Sequence, residues 1–210
     1  MRTAADFNQF YEVADPWKIG QASFRDRVYR RLLRGMVHGR TVLELGCGEG
    51  HLTEVVFDEA RTVTGIDISN VAIERAKARN LSNARFENSD FLRTSFEGYD
   101  LIVALECIYY LSPDEQEEFF AKIVREHTGR LILSAPIIGE NKFRRYFTHD
   151  QLIATFARHG MTVAKFHNLN ISRRDLPTTA AAIAVRIAPA LLDWMPEPLI
   201  YQRLYMIRIM

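Results

Sequence analysis

Short apolar runs alternate with segments of helical periodicity along the chain, and this order constrains the fold more than any other feature. Such alternation predicts βαβ units built around a mostly parallel sheet. The first, fourth and fifth strand candidates are almost wholly apolar, which is typical of strands covered by helices on both faces. The predicted strands are Thr41–Leu45, Arg61–Asp67, Ala84–Asn88, Tyr99–Leu105, Arg130–Ala135, Met161–Leu169 and Leu199–Ile209.

Capping signals locate several of the intervening helices. Ser112 and Thr148 each begin a capping box, with Glu or Gln three residues further on. Ser23 is a candidate N-cap for a helix that we expect to run through Arg34, with Gly35 just after its end. These signals place helices between the predicted strands, as a layered α/β fold requires.

The last third of the chain departs from simple alternation. A long segment, Ser172–Pro198, separates the sixth and seventh strand candidates, and its apolar part is Thr179–Trp194. We interpret it as a helical insertion within an antiparallel strand pair. Two roles remain open for it: closing a site or joining subunits, and covering the edge of the sheet.

Charge and cysteine content exclude several classes of protein. The 210 residues contain 27 Lys and Arg against 26 Asp and Glu, a balance unlike that of a dedicated nucleic-acid binder. Cys47 and Cys107 form no CxxC or Cys/His cluster, so we expect neither a metal site nor a disulfide framework. The first residues have no apolar signal core, and no apolar run reaches about 18 residues. We therefore expect a cytoplasmic protein with no membrane partner.

A glycine-rich turn follows the first predicted strand, in the segment Val42–Gly50. Glycines allow a tight turn and let the backbone approach a ligand closely. The dinucleotide fingerprint G-x-G-x-x-G is not satisfied, because His51 occupies the third glycine position. A hydride-transfer cofactor is therefore disfavoured.

Acidic residues end the next strands in a repeated pattern. Asp67 ends the second strand, about twenty residues after the glycine turn, where an acid can accept hydrogen bonds from ribose hydroxyls. Asp90 and Phe91 follow the third strand, and we expect them to contact the amino group and the face of an adenine. The fourth strand, which ends at Leu105, leads into Glu106.

In this order and spacing, the four motifs resemble those of the class I S-adenosylmethionine-dependent methyltransferases, strongly over residues 36–135. The resemblance implies a Rossmann-like α/β fold with a seven-stranded, mostly parallel sheet, an antiparallel last strand and helices on both faces. It implies S-adenosyl-L-methionine as the cofactor. The implied cofactor-binding residues are Trp17, Glu44, Gly46, Cys47, Gly48, Gly50, Asp67, Ile68, Asp90, Phe91 and Leu105.

The resemblance implies that these residues bind different parts of the cofactor. The glycine turn wraps the methionine part, and Glu44 supports the turn and the methionine amino group. Asp67 holds the ribose hydroxyls, Asp90 binds the adenine amino group, and Leu105 lies near the methyl group. Each acid also has a simpler interpretation as a loop or turn residue.

The N-terminal segment Ala14–Trp17 and the run Leu105–Leu111 are similar to those of the rhizobial nodulation-factor N-methyltransferases. Those enzymes methylate an amine on a chitooligosaccharide. The similarity implies that Trp17 closes over the cofactor, although packing on the outside of the sheet is an equal alternative. It fades after about residue 135.

We expect one methyltransferase domain, 1–210, in three parts. An N-terminal helical arm spans 1–35, the cofactor-binding core spans 36–135, and the substrate side spans 136–210, including the insertion 172–198. The predicted acceptor is an amine or hydroxyl of a small polar molecule, such as a sugar or a nucleotide sugar. We expect a monomer or a homodimer that binds no nucleic acid.

Four residues are candidates for proton transfer or for orienting the acceptor. Glu106, Tyr109 and Tyr110 follow the fourth strand at its carboxyl end, where open α/β sheets bind ligands. Tyr110 is the residue that we expect to face the acceptor. His149 lies at a helix start and titrates near neutral pH in its ordinary state, although an exposed first-turn position is the simpler interpretation.

Basic clusters leave one further possibility for the acceptor. Five arginines share the predicted helix after Ser23, and Lys142, Arg144 and Arg145 follow the fifth strand. Both clusters are consistent with a solvated face or, at 142–145, with an anionic acceptor.

Other functions are less well supported. An RNA or protein methyltransferase would need a larger basic surface or an additional domain. A non-catalytic protein that binds S-adenosylmethionine stays open as an alternative.

Overall fold

A computed structural model describes residues 3–21, 23–138, 147–171 and 176–209. Its single sheet has the strand order β3-β2-β1-β4-β5-β7-β6. β7 pairs antiparallel with both β5 and β6, and the other pairs are parallel. This confirms the predicted α/β sheet with an antiparallel last strand. The strands are β1 Thr41–Leu45, β2 Thr62–Asp67, β3 Ala84–Asn88, β4 Leu101–Leu105, β5 Arg130–Pro136, β6 Met161–Ile171 and β7 Ile200–Ile209.

The predicted strands agree with these bounds to within two residues at each end. One of the two largest differences is at the start of β4, which begins at Leu101 and not at the predicted Tyr99. Asp100 lies outside the strand because its carboxylate accepts hydrogen bonds from the backbone N–H and the hydroxyl of Thr41. β6 continues to Ile171, two residues beyond the prediction, because its pairing with β7 persists past a β-bulge.

Helices cover both faces of the sheet and enclose two apolar layers. One layer packs β-strand side chains against the ring cluster of Phe119, Phe120 and Phe156. The other packs them against Leu33, Val56 and Val185. The helices are α1 Ala4–Phe10, α2 Ser23–Val37, α3 His51–Val56, α4 Asn70–Lys77, α5 Pro113–Glu126, α6 His149–Arg158 and α7 Leu176–Ile187.

The predicted end of α2 is wrong by three residues. The helix continues through Gly35 to Val37, and the left-handed residue that follows it is Gly39, with φ of 68°. Val37 is fully buried in the layer on this face. Burial of its side chain, roughly 1.5–3 kcal/mol, exceeds the cost of about 1 kcal/mol for a glycine within a helix.

The insertion between β6 and β7 is helical, as predicted. It contains α7 and two short 3₁₀ segments, Pro189–Trp194 and Glu197–Leu199. Val185 and Leu192 pack on the sheet, and the side chain of Asn168 on β6 donates to the carbonyl of Leu192 at 2.9 Å. These are the contacts of a segment that covers the sheet edge.

Every helix in the described ranges is too short or too polar to cross a membrane.

Candidate functional site

A cavity of about 430 Å³ lies at the carboxyl ends of β1, β2 and β4. This is the edge where parallel α/β sheets bind ligands, because the loops that follow neighbouring strands diverge there. Residues between Phe7 and Gly20 cover one side of the cavity. A volume of this size is within the range of small-molecule sites.

Most of the predicted site residues line this cavity. They are Trp17, Glu44, Gly46, Cys47, Gly48, Asp67, Ile68, Asp90, Phe91, Leu105, Glu106, Tyr109 and Tyr110. Gly50 shapes the turn from behind, as the left-handed residue before α3, with φ of 74°. The roles assigned to these residues stay predictions, since the structure gives their positions and not their ligands.

Close packing and backbone conformation both require glycine in the turn after β1. Gly46 and Gly48 have φ of 69° and 54°. A Cβ atom on Gly48 would lie 2.7 Å from the Tyr11 hydroxyl, and one on Gly46 would lie 2.8 Å from the Cβ of Cys107. The turn therefore presents bare backbone to the cavity.

Asp67 joins the ends of β1 and β2. Its Oδ2 accepts the N–H of Gly48 and its Oδ1 accepts the N–H of Ser69, each at 2.9 Å. Burial raises the pKa of this carboxyl, and the backbone hydrogen bonds oppose that rise. A carboxylate has about four acceptor positions, so it can also receive two ligand hydroxyls.

Glu44 is a buried acid in the cavity wall. Its side chain accepts a hydrogen bond from the Thr53 hydroxyl at 2.5 Å, and only 3% of the residue is exposed. Burial raises its pKa to about 8. Near neutral pH this carboxyl is therefore mostly protonated, and a cation placed beside it would favour its ionised form.

Asp90 and Phe91 line the cavity from the loop that follows β3. Asp90 Oδ1 accepts the N–H of Leu92 at 2.9 Å, which fixes the loop after β3. The ring of Phe91 contacts Phe119 edge to face, with centroids 5.7 Å apart. Phe91 thus belongs both to the core and to the cavity wall.

Glu106 follows β4 in a left-handed conformation, with φ of 59°. Its carboxylate accepts a hydrogen bond from the Tyr29 hydroxyl at 2.9 Å and from the Ser134 hydroxyl at 3.1 Å. Tyr29, on α2, and Ser134, on β5, are both fully buried. Sequence reasoning missed both, because they become neighbours of Glu106 only through the sheet order and the packing of α2.

Residues 7–20, which we call the aromatic arm, cover the cavity on the side of the glycine turn. The ring of Tyr11 lies 5.0 Å from that of Trp17, and Phe7 contacts Tyr110 edge to face. Tyr11 is 6% exposed, and burial raises its pKa far above the ordinary range. The spacing of Phe7, Phe10 and Tyr11, three and four residues apart, is the sequence signal from which this helix could have been predicted.

Polar contacts fasten the arm to α4 and the glycine turn. Glu49 pairs with Arg75 and accepts the N–H of Asp15. The guanidinium of Arg75 also donates to the carbonyl of Val13 at 3.3 Å, and the Ser69 hydroxyl donates to Asn8 at 2.7 Å. These contacts hold the arm against α4 and the glycine turn.

His149 does not lie among the cavity-lining residues. Its Nδ1 is 2.9 Å from the Tyr205 hydroxyl, and its ring packs edge to face on Phe166. Burial lowers its pKa, so the neutral imidazole is favoured. The placement follows from the capping box at Thr148, which begins α6. This helix packs on β6, and its first residue, His149, meets Tyr205 on β7. The basic cluster at 142–145 lies outside the described residues.

The two cysteine thiols are buried in the cavity wall. Burial raises the pKa of both Cys47 and Cys107, so neither is an activated nucleophile. Over the described residues, His, Cys, Asp and Glu form no group that could hold a metal ion.

Much of the chain that lines the cavity is similar to known proteins. Residues 42–126 match the family described as "Methyltransferase domain". Nodulation protein S of Bradyrhizobium diazoefficiens is 33% identical over 105 residues, which cover 47% of this chain and 50% of that protein. The chain spans about half the length of the curated relatives it matches.

Solved structures extend the likeness to the whole fold. The N-methyltransferase NodS from Bradyrhizobium japonicum WM9, in complex with S-adenosyl-L-homocysteine, has a TM-score of 0.73 at 20% identity. The match covers 100% of this chain and 99% of that chain. Magnesium protoporphyrin IX methyltransferase from Synechocystis PCC 6803 has a TM-score of 0.70 at 16% identity, covering 99% of each chain. The chain thus has the class I methyltransferase fold and is similar to NodS.

Lys18 lies on the surface of the arm. Loosening the arm should let the chain around Lys18 enter the active site of trypsin more readily. We expect Arg75→Met to speed cleavage after Lys18 on the order of fivefold, because the substitution removes the ion pair with Glu49 and the donors to the arm carbonyls. The measurement is limited proteolysis with mass-spectrometric detection. Lys77→Met, on the same helix but paired within it, is the control. Equal cleavage rates in the two variants would contradict the role of these contacts.

Glu44→Gln should change how stability depends on pH. Because the folded pKa of about 8 lies above the ordinary value of 4.5, the neutral acid stabilises the fold, and this contribution is lost as pH rises through 8. Between pH 5 and 8 the wild type should lose up to about 1.4 kcal/mol per pH unit from this group. Urea unfolding should show a flatter profile for Glu44→Gln and an unchanged one for the exposed Glu74→Gln. Parallel profiles for all three proteins would be the contrary result.

Proposed function

We propose that this chain, whose residues 42–126 match the methyltransferase domain family, transfers a methyl group from S-adenosylmethionine to a small polar acceptor. The observation that carries the proposal is the arrangement of Asp67 beside a bare glycine turn in the wall of the cavity. An acid fixed there can bind paired hydroxyls while the turn admits the rest of the ligand at backbone distance.

The residues of the cavity fit the functional groups of this cofactor. Asp67 would hold the ribose hydroxyls, and Asp90 would receive the adenine amino group. Glu44 would face the methionine ammonium, because a nearby cation would stabilise the ionised form that burial disfavours. Arg25 also lines the cavity and has the charge that a methionine carboxylate requires. When bound, the cofactor supplies an electrophilic methyl group on a sulfonium.

The chain's own contribution is positioning, exclusion of water and removal of a proton. Trp17 and Tyr11 cover the cavity, so the reacting groups meet away from solvent. Tyr110 and Glu106 lie at the end of β4, where the acceptor would enter. We propose that Tyr110 orients the acceptor and that Glu106 receives the proton the acceptor loses.

The acceptor is proposed to be an amine, with an amino sugar as the first candidate. Carboxylates outnumber guanidinium groups in the cavity lining, which favours a cationic acceptor over an anionic one. Similarity to a protein described as an N-methyltransferase supports nitrogen over oxygen. The proposal of a sugar acceptor rests on the resemblance of the N-terminal segment to the nodulation-factor N-methyltransferases. We propose that the protein acts as a monomer or a homodimer.

Calorimetric titration with S-adenosylmethionine and S-adenosylhomocysteine tests the cofactor. Wild type should bind both in the micromolar range. Asp67→Ala should weaken binding tenfold or more, about 1.4 kcal/mol, because charge-assisted hydrogen bonds to the ribose are lost. Asp114→Ala, in the first turn of α5, is the control. Thermal unfolding would confirm that each variant folds, and a wild type that binds neither compound would refute the proposal.

A further inference from the structure

Three oxygen atoms form a closed triangle beneath the cavity floor. They are Glu106 Oε1, the Tyr29 hydroxyl and the Ser134 hydroxyl, and every pair lies within 3.1 Å. We propose that Tyr29 and Ser134 are positioning residues that hold Glu106 so that its carboxylate takes up the proton released by the acceptor. This inference rests on the proposed methyl transfer and adds two residues to it.

A count of hydrogens shows why the triangle suits proton uptake. Three oxygen–oxygen contacts are present, but the two hydroxyls supply only two hydrogens. With Glu106 ionised, both hydroxyls can donate to Oε1, and the contact between Tyr29 and Ser134 then lacks a hydrogen. A third hydrogen, on Glu106, completes the ring, with one donor for each contact. The same geometry therefore accommodates the charged and the neutral acid.

The backbone of Glu106 is held as firmly as its side chain. Its N–H donates to the Ser134 hydroxyl at 3.1 Å and approaches the Ser134 carbonyl at 3.4 Å. Its φ of 59° is a conformation that favours glycine, so a glutamate there carries strain. Strain of this kind persists only where the surroundings fix the residue, and here Ser134 contacts both its backbone and its carboxylate.

Neither Tyr29 nor Cys107 competes with Glu106 for the proton. Burial and the charge of Glu106 raise the pKa of Tyr29, so its hydroxyl stays protonated and serves as a donor. Burial likewise raises the pKa of Cys107. Among the described residues, the charged groups that act on Tyr29 or Cys107 include Arg25 on α2, Glu44 on β1 and Asp67 on β2, which lie outside the triangle.

The step balances without any further reactant. With the acceptor bound as a neutral amine, its nitrogen lone pair would form the bond to the methyl carbon while the sulfur–methyl bond breaks and leaves its electron pair on sulfur. The methylated nitrogen, now carrying a positive charge, gives its proton to Glu106. Glu106 returns the proton to solvent when the products leave, so nothing is oxidised or reduced.

Carbon-13 NMR of protein labelled at the glutamate carboxyl tests the triangle directly. Glu106→Gln identifies the signal of Glu106, and its titration is followed in the free protein and with S-adenosylhomocysteine. We expect Tyr29→Phe and Ser134→Ala each to raise the titration midpoint by about one pH unit, the equivalent of one hydrogen bond to a charged group. Tyr205→Phe, which removes a hydroxyl bonded to His149 outside the cavity, should leave it unchanged.

The outcomes separate this inference from the proposed function. Midpoints within about 0.2 pH units of wild type in both folded variants would overturn the positioning role, and either variant alone suffices if the other does not fold. A shift as large in Tyr205→Phe would overturn it as well, because the effect would then be unspecific. Failure of wild type to bind S-adenosylmethionine or S-adenosylhomocysteine refutes the proposed function whatever the titration shows.

Discussion

The hydrogen bond from the Gly48 N–H to the Asp67 carboxylate is the interaction on which the candidate site depends. It ties the turn after β1 to the end of β2, and the parallel pairing of these strands brings the two together. The closeness of Gly48 to the Tyr11 hydroxyl extends the same arrangement to the N-terminal arm. Loss of glycine at this position would therefore displace the turn, the acid and the cover of the cavity at once.

Buried acids are the main electrostatic cost of this arrangement. Glu44 and Asp67 both have raised pKa values, because burial penalises the charged form of each carboxyl. A ligand that brings positive charge would relieve this cost. The cavity therefore favours a cationic ligand, whichever acceptor it binds. Glu106 differs from them, because two hydroxyl donors hold it and its uptake of a proton completes a ring of hydrogen bonds.

The sequence alone predicted the sheet, the glycine turn and the acids at the strand ends, because these depend on local patterns that repeat along a βαβ chain. The end of α2 was mispredicted, because burial of Val37 outweighed the local signal of Gly35. Tyr29 and Ser134 were not found, since each meets Glu106 only after the strands are ordered in space. His149 was predicted as a site residue because an imidazole can transfer protons near neutral pH. In the structure, the helix that begins after Thr148 places its ring against Tyr205.

Transfer of an isotopically labelled methyl group tests the central claim most directly. The protein would be incubated with methyl-labelled S-adenosylmethionine and a bacterial extract of small metabolites, with Glu106→Gln in parallel. The account predicts that wild type moves the label, over time, into a small cationic compound, and that the variant does so far more slowly. Binding of the cofactor without any transfer of label would contradict the account and would favour a protein that only binds S-adenosylmethionine.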